Sequence, residues 1–390
     1  MRKLYLLCGC AVILVASAAS ADESVIYSLP AGSRPVAQLA QDPTTGNLYG
    51  ASYSGGSYSW GFAFRVKERR GAWKGAPIFS FDLSNGAHPA GPLTFDKTTG
   101  TIYGTTLVGG TYNRGTVFSL APEGTGWNEN VLYSFTGDVD GADPEGQLSI
   151  DSDTGALYGT ASSNASGNPS GCGNIFELSN SGGPWSFTPL YEFQGDIDGC
   201  APKTGPRPGV SPDTLFGTTE YTVYKADGSA GTWTEQVIDG FPTISGGQSP
   251  SDIDVVSDEL IYGTAFGGGR GNSGVVFELQ LTRKGWKETV LYKFRGGSDG
   301  SGPVGLRYEK STDSLYGTTQ SGGDFGKGTL FQMTHVGTVW TEAVLHSFGA
   351  TGDGANPAGR PIPNRNTGAL FGTTLAGGKF GGGAVYSYTP

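Results

Sequence analysis

Apolar and polar positions alternate along this chain in short segments separated by turn-forming residues. Between positions 91 and 135 the segments are Gly91–Asp96, Ile102–Thr106, Thr116–Leu120 and Trp127–Phe135. Such short segments, rich in aromatic and β-branched residues, predict β-strands rather than helices. The first two strands and the last two are joined by short links, and the other links are longer. The pattern therefore predicts antiparallel four-stranded sheets with hairpins on one face and long loops on the other.

The four-strand pattern recurs seven times. Its marker is the block Leu/Ile-Tyr/Phe-Gly in the second strand, with the aromatic residue at Tyr49, Tyr103, Tyr158, Phe216, Tyr262, Tyr316 and Phe371. Successive spacings are 54, 55, 58, 46, 54 and 55 residues, a period typical of propeller blades. We therefore predict an all-β fold, a seven-bladed β-propeller with four-stranded blades of about 54 residues.

The number of each strand type predicts how the ring closes. The third strand occurs seven times and ends with Ala384–Tyr388, whereas the fourth strand, which begins with tryptophan, occurs six times. The segment Val25–Leu29 matches Val131–Phe135 of a fourth strand. We therefore expect residues 25–29 to complete the last blade, which leaves no open radial edge in the ring, and residues 22–390 to form one domain.

The first residues and the composition indicate an exported protein. Residues 1–21 combine Arg2 and Lys3, an apolar run and the small residues Ala19-Ser20-Ala21, which is typical of a signal peptide. No second apolar stretch follows, so we expect no membrane insertion. A net charge of −10 argues against nucleic acid as a partner. We expect a secreted monomer in an extracellular or periplasmic compartment.

Two cysteines lie in the mature chain. Cys172 and Cys200 occupy long loops of the third repeat, and both loops belong to the same face. In an oxidising compartment they are expected to form a disulfide.

The block Leu/Ile-Tyr-Gly-Thr-Thr, followed by Gly-Gly and Gly-Thr-Val-Phe-x-Leu, is present at residues 102–120 and similarly at 315–331. It resembles the Gloeo/Verruco (GloVer) repeat of bacterial surface proteins over nearly the whole mature chain; kelch repeats share the double glycines but place Tyr and Trp differently. The resemblance implies an exported repeat protein, often with a C-terminal sorting signal and with no established catalytic activity. This sequence shows no such signal after Tyr388, so a soluble exported form is expected.

The long loops between the second and third strands contain candidate binding residues. They carry Gly-Gly-x-aromatic-x-x-Gly, with the aromatic residue at Tyr58, Tyr112, Phe325 and Phe380, and Trp60, Arg114 and Lys327 follow two positions later. Aromatic rings beside charged donors suit sugar recognition. The alternative is that a repeated aromatic residue packs in the same structural position of every blade.

A second recurring motif, Asp/Asn-Gly-x-x-Pro, begins at Asn85, Asp140, Asp198, Asp299 and Asp353. The four aspartates join the binding candidates because they lie on the same face. The pairs Asp138/Asp140 and Asp196/Asp198 resemble the start of a calcium loop, but the later ligands of an EF-hand are absent. Turn formation is the favoured interpretation, since Asn replaces Asp once. We therefore expect no cofactor, and calcium at these pairs of aspartates is the weaker alternative.

No catalytic residue is predicted. The histidines His88, His335 and His346 lie in different positions of the repeat, which argues against a triad or a histidine metal site. The glutamate of Trp-x-Glu recurs at Glu129, Glu235, Glu288 and Glu342, and its repetition indicates a structural role.

These observations predict an exported, non-catalytic recognition or scaffold propeller that binds a glycan or a protein through its long-loop face. A notch at the fourth blade, where Thr219–Thr222 replaces the glycine-rich loop, belongs to this surface. The alternative is a polysaccharide-active hydrolase or lyase that uses carboxylates of the long-loop face, and a third is a structural cell-envelope protein. A unique acid cluster at the channel mouth or notch would favour the enzyme.

Overall fold

The computed structural model describes residues 22–163, 171–180, 182–195, 197–241, 247–364 and 367–390. These residues form seven sheets of antiparallel strands arranged as the blades of a propeller. The predicted fold class is confirmed, whereas the predicted signal peptide at 1–21 lies outside the described residues. In the part of the chain that the structure describes, no helix is both long and apolar enough to cross a membrane.

We number the blades 1 to 7 along the chain and call their strands A to D from the central channel outwards. Strands A are Ala40–Gln41, Ala87–Pro89 with Thr94–Phe95, Ser149–Ile150, Arg207–Pro208, Gln248–Ser257, Ser301–Glu309, and Gly354–Pro357 with Ile362–Pro363. Strands B are Leu48–Ser52, Ile102–Val108, Leu157–Ala161, Thr214–Thr218, Leu260–Gly267, Ser314–Ser321 and Leu370–Gly377. Strands C are Phe62–Arg69, Thr116–Glu123, Asn174–Ser179, Thr222–Asp227, Val275–Thr282, Thr329–Val336 and Ala384–Thr389. Strands D are Ala72–Ser80, Gly126–Ser134, Ser186–Glu192, Thr234–Gly240, Gly285–Lys293, Val339–Ser347 and, in blade 7, Asp22–Ser28. Two short 3-10 turns, Arg270–Asn272 and Gly297–Asp299, lie in loops.

The N-terminal strand closes the ring as predicted. Asp22–Ser28 pairs antiparallel with Ala384–Thr389, from Asp22 opposite Thr389 to Ser28 opposite Ala384. The strand begins three residues earlier than the predicted Val25. Its pairing covers the outer edge of Ala384–Thr389 and gives blade 7 the same outermost strand as the other six blades.

The glycine of the repeat marker is required because an aromatic ring of strand C lies across it. A Cβ atom at Gly104 would lie 2.6 Å from Cζ of Phe118, and the same conflict recurs in the other six blades. The ring therefore fills the space that a side chain on strand B would occupy. This contact explains why Leu-Tyr-Gly and Val-Phe recur together in the sequence.

The repeated tyrosine and tryptophan join neighbouring blades. Tyr49 of blade 1 packs edge-on against Trp127 of blade 2, with ring centroids 5.7 Å apart. Equivalent pairs follow at four further seams, and Phe371 of blade 7 contacts Trp73 of blade 1 at 5.2 Å. Edge-to-face aromatic pairs stabilise such contacts beyond their buried area. The two sequence markers are therefore the two halves of one inter-blade contact.

Candidate functional site

Four aromatic side chains project from the long-loop face at equivalent turns. Tyr58, Tyr112, Phe325 and Phe380 are 58, 57, 54 and 53% exposed. The residue after each ring has a positive φ, between 56° and 74°, and its N–H bonds to a glycine carbonyl three residues back. Each ring thus lies at the tip of a tight turn. The alternative, a repeated residue that packs in the same position of every blade, is disfavoured because each of these four residues is more than half exposed.

These turns are anchored by a serine at the end of strand D. The hydroxyl oxygens of Ser80, Ser134, Ser347 and Ser28 accept hydrogen bonds from the N–H groups just before the four rings, at 3.0–3.4 Å. The four turns belong to blades 1, 2, 6 and 7, which are consecutive because blade 7 adjoins blade 1. We call the four exposed rings the aromatic arc.

Basic side chains accompany the aromatic arc. The stems of Arg114 and Lys327 cross Gly137 and Gly349 of the following loops, where a Cβ atom would lie within 3.1 Å of them. Lys379 places its Nζ 5.4 Å from the ring centroid of Phe380. Apolar stems held on the loops leave the charged ends at the surface.

Trp60 has a different position from the other predicted binding residues. It is half-buried, packs against the core and meets the ring of His88 edge-on at 5.2 Å. Its carbonyl accepts the N–H of His88 at 2.7 Å. Trp60 therefore supports the loop from below and is not one of the exposed rings.

The aspartates of the Asp-Gly turns point inwards. Tyr133, Tyr191 and Tyr292 donate their hydroxyls to Asp140, Asp198 and Asp299 at 2.8, 2.8 and 2.6 Å, and His346 Nε2 lies 2.9 Å from Asp353. Each carboxylate also accepts a backbone N–H four residues before it. The geometry supports the turn interpretation for these four predicted binding residues. Of the calcium candidates, Asp138 is exposed in its loop and Asp196 lies outside the described residues.

The notch at blade 4 and the Cys172–Cys200 disulfide lie on the same face. Thr219 donates its N–H to the carbonyl of Thr222, so strands B and C are joined by a tight turn. Cys172 and Cys200 form the predicted disulfide in the preceding blade. Tyr221 at the tip of the turn is 54% exposed and adds a ring inside the predicted notch, although it is not among the binding residues that the sequence named.

The central channel contains a charged network that the sequence pattern did not reveal. Arg360 of blade 7 is 4% exposed and binds Asp252 of blade 5 through Nε and Nη2, at 2.9 and 2.6 Å. Its Nη1 binds Asp254 at 2.8 Å. Blade 6 lies between these blades and contributes Gly305, where a Cβ atom would lie only 2.1 Å from the nitrogen of Arg360. Because Gly305 has no side chain, blade 6 leaves room for Arg360 to reach Asp252 and Asp254 of blade 5.

The remaining partners complete this channel network. Arg207 donates Nη1 to the side chain of Gln147 at 2.6 Å and places Nη2 3.5 Å from Asp252. Burial and the nearby Arg360 lower the pKa of Arg207 to about 10. The N–H groups of Leu306 and Tyr308 bind Asp252 and Asp254. Both aspartates are therefore occupied by an arginine and by backbone donors, which leaves them poorly suited to act as an acid–base pair.

A cavity opens on the face of the propeller that carries the A–B and C–D hairpins. It has a volume of about 750 Å³ and is lined by Gln38, Trp73, Phe95, Gln147 and Arg307 among others. Within the described residues, Nε of Arg307 is buried without a hydrogen-bond partner.

The sequence signal that could have identified the channel charges is a departure from the repeat. The strand A residue that pairs with the marker aromatic residue of strand B is Ala, Thr, Ser or Ile in four blades. In the other three blades it is charged, as Arg207, Asp254 and Arg307.

The repeated glutamates lie at the seams between blades. Burial, and to a smaller extent a neighbouring aspartate, raises the pKa of Glu129, Glu235, Glu288 and Glu342 to about 7. In each of the four, one carboxylate oxygen is buried with no hydrogen-bond partner among the described residues. The position of these groups inside a repeated contact supports their predicted structural role.

Comparison with known proteins identifies the repeat. The family model of the Gloeobacter/Verrucomicrobia repeat matches residues 34–234 and 220–390. No sequence among the curated proteins matches this chain.

Several solved structures share the fold. The extracellular domain of BT4673 from Bacteroides thetaiotaomicron is 11% identical with a TM-score of 0.59, and the match covers 93% of this chain and 39% of that one. The periplasmic gluconolactonase PpgL of Pseudomonas aeruginosa is 12% identical with a TM-score of 0.52, over 90% and 87% of the two chains. The GH74 enzyme of Niastella koreensis is 17% identical with a TM-score of 0.51, over 83% and 47%. At these identities the likeness concerns the fold alone.

Proposed function

The chain belongs to the Gloeobacter/Verrucomicrobia repeat family, and we propose that it is an exported recognition propeller that binds a glycan chain through the aromatic arc. The observation that carries the proposal is the exposure of Tyr58, Tyr112, Phe325 and Phe380 on four consecutive blades. A ring can pack on the face of a pyranose while neighbouring polar groups bind its hydroxyls.

The placement of the four rings on separate, equivalent turns favours a glycan over a protein partner. Each ring lies on its own turn, preceded by a polar or charged residue and followed by serine, asparagine or glycine, and the four turns repeat the same anchored geometry. A ligand that repeats along its length can use such repeated, separate platforms. A protein interface concentrates its binding energy in a central, fully desolvated cluster, which this arrangement does not provide. A protein partner is therefore the second candidate.

Binding without turnover is part of the proposal. The aspartates of the Asp-Gly turns are occupied by tyrosine or histidine and by backbone N–H groups. The two channel aspartates are held by Arg360. An enzyme acting on polysaccharides would need a pair of carboxyl groups free to exchange protons at the bound chain.

An exported location agrees with two observations. The Cys172–Cys200 disulfide is typical of oxidising compartments outside the cytoplasm. Structures with the same fold include the extracellular domain of BT4673 and a periplasmic gluconolactonase.

The proposal is tested by a polysaccharide binding screen of the purified protein with product analysis of every ligand that binds. We expect saturable binding and no shortened products. Replacing all four arc rings by serine should reduce the affinity by at least tenfold, because stacked aromatic rings are among the strongest contributors to such interfaces.

The control changes two exposed apolar side chains on the opposite face. Val336 and Val339 lie in the C–D hairpin of blade 6 and are 87 and 66% exposed. The double variant with serine at both positions should bind as the wild type does. Unchanged binding by the arc variant would refute the proposed surface, and shortened products would establish the enzyme alternative instead.

A further inference from the structure

The seam between blades 6 and 7 contains three side chains that can ligate a metal ion. His346 of strand D in blade 6 directs Nε2 towards Asp353 of the following loop at 2.9 Å and towards Glu23 of the N-terminal strand at 3.9 Å. One donor atom from each residue lies within 4.8 Å of the other two. The side chains of Glu23, Asp353 and His346 are 8, 6 and 22% exposed.

A fully buried hydroxyl belongs to the same seam, because Tyr386 pairs with Val25, two residues after Glu23, and its ring contacts Phe348, two residues after His346. Tyr386 is 0% exposed, and its hydroxyl has no hydrogen-bond partner among the residues that the structure describes. Burial, and to a smaller extent the charges of Glu23 and Asp353, raises the pKa of Tyr386. A buried polar group without a protein partner is uncommon in native proteins and often indicates a bound water or ion.

The repeat supplies an internal comparison. The seam between blades 3 and 4 has the same arrangement, with Asp198 in the loop, Glu235 on strand D and Tyr224 buried on strand C. The hydroxyl of Tyr224 is likewise buried without a partner among the described residues, so this hydroxyl does not distinguish the two seams. The difference is the residue that bonds to the aspartate, which is Tyr191 there and His346 here. Tyrosine at this position donates a hydrogen bond, whereas a neutral imidazole can ligate a metal ion.

We propose that Glu23, His346 and Asp353 bind one divalent transition-metal ion of the zinc class at the seam between blades 6 and 7. One imidazole nitrogen and two carboxylate oxygens form a donor set that zinc accepts, with a fourth position for water. Calcium is disfavoured because its ligands are oxygen atoms.

The proposed ion would join the N-terminal strand to the preceding blade. Glu23 lies on the strand that completes blade 7, and the other two ligands come from blade 6 and from the loop between the two blades. Metal binding would therefore stabilise the closed ring by favouring the folded state in which all three ligands meet. The assignment of this site does not rest on the aromatic arc or on glycan binding, although His346 is adjacent to Ser347, which anchors the Phe325 turn.

The test uses the purified protein without a histidine tag, stripped of metal by a chelator. Titration with Zn²⁺ by isothermal calorimetry should show one site per chain, and Zn²⁺ should raise the melting temperature. His346→Tyr introduces the residue that blade 3 has at this position, so the variant should fold normally. Its affinity for Zn²⁺ should fall by at least the roughly 10- to 100-fold that loss of an outer-shell partner costs.

Two further variants make the result specific. His335→Gln removes the exposed His335–Asp313 pair of blade 6 and should leave the titration unchanged. Tyr191→His recreates the cluster at the seam between blades 3 and 4 and should add a second site. Absence of saturable Zn²⁺ binding, or equal binding by His346→Tyr, would overturn the assignment. A Tyr191→His protein that still binds one ion would refute the claim that the histidine makes the seam a metal site.

Discussion

At the residue scale, Arg360 is the main partner of two carboxylates in the channel. Arg360 neutralises Asp252 and Asp254, and all three side chains are shielded from solvent to a large degree. The charges are stable there only as a group, because each carboxylate has lost most of its hydration. The network also ties blade 7 to blade 5 across the channel, a contact that the repeat does not provide elsewhere among the described residues.

Replacing Arg360 by methionine should lower the free energy of unfolding by about 3–5 kcal/mol, because two buried carboxylates lose their main partner. Urea denaturation followed by tryptophan fluorescence measures the change. Arg69→Met is the matched control, since Arg69 is exposed at the end of a strand C and should change stability by less than about 0.5 kcal/mol. A loss as small as the control's would show that the network is not needed for stability.

At the scale of the strand, the outermost strands D carry the seam glutamates. In the folded protein the pKa of Glu129, Glu235, Glu288 and Glu342 is raised from 4.5 to about 7. Each group therefore holds its proton more tightly in the folded state than in the unfolded state. The stability that it contributes is complete below about pH 4.5 and is lost as the pH rises through about 7.

We therefore expect the urea concentration at the unfolding midpoint to decrease as the pH is raised from 5 to 8. Changing the four glutamates to glutamine should remove much of this decrease and raise the midpoint at pH 8, because glutamine resembles the protonated acid. Glu68→Gln and Glu123→Gln alter exposed glutamates on strands C and serve as controls. The same slope in the fourfold variant as in the wild type would mean that these seams do not determine the pH response.

At the scale of the whole molecule, the ring depends on one strand from the opposite end of the chain. Strand C of blade 7, Ala384–Thr389, pairs on its outer side with Asp22–Ser28. In the other six blades, the equivalent pairing is made by the next strand along the chain. Closure of blade 7 is therefore the longest-range contact of the fold and carries the entropic cost of joining the two chain ends.

Deletion of residues 22–29 should lower the melting temperature and cause association, because the exposed edge of Ala384–Thr389 can pair with another molecule. Transplanting the same segment behind Pro390 through a short hairpin link should restore both properties, since blade 7 would then resemble the other six. Differential scanning calorimetry and size-exclusion chromatography measure the two effects. Equal melting of the deleted and complete proteins would contradict the role of this strand.

The sequence by itself determined the fold, the number of blades and the mode of closure. The signals are local and repeated: strand alternation, tight turns and the spacing of Tyr49, Trp127 and their equivalents. Each repeat therefore predicts the same four-stranded blade on its own. The disulfide was also predictable, because the order of antiparallel strands places both cysteine loops on one face. The motif likewise identified the repeat family, because its residues are close together in the chain and recur in order.

The tertiary structure alone decided which candidate residues are at the surface. The rings of the aromatic arc and the aspartates of the Asp-Gly turns recur with similar regularity, yet the rings point outwards and the aspartates inwards. Contacts across seams are also absent from any local pattern. Arg360 meets Asp252 across 108 positions, and Glu23 lies beside His346 from the other end of the chain. Such sites depend on side-chain direction between blades, which alternation and spacing along one strand do not specify.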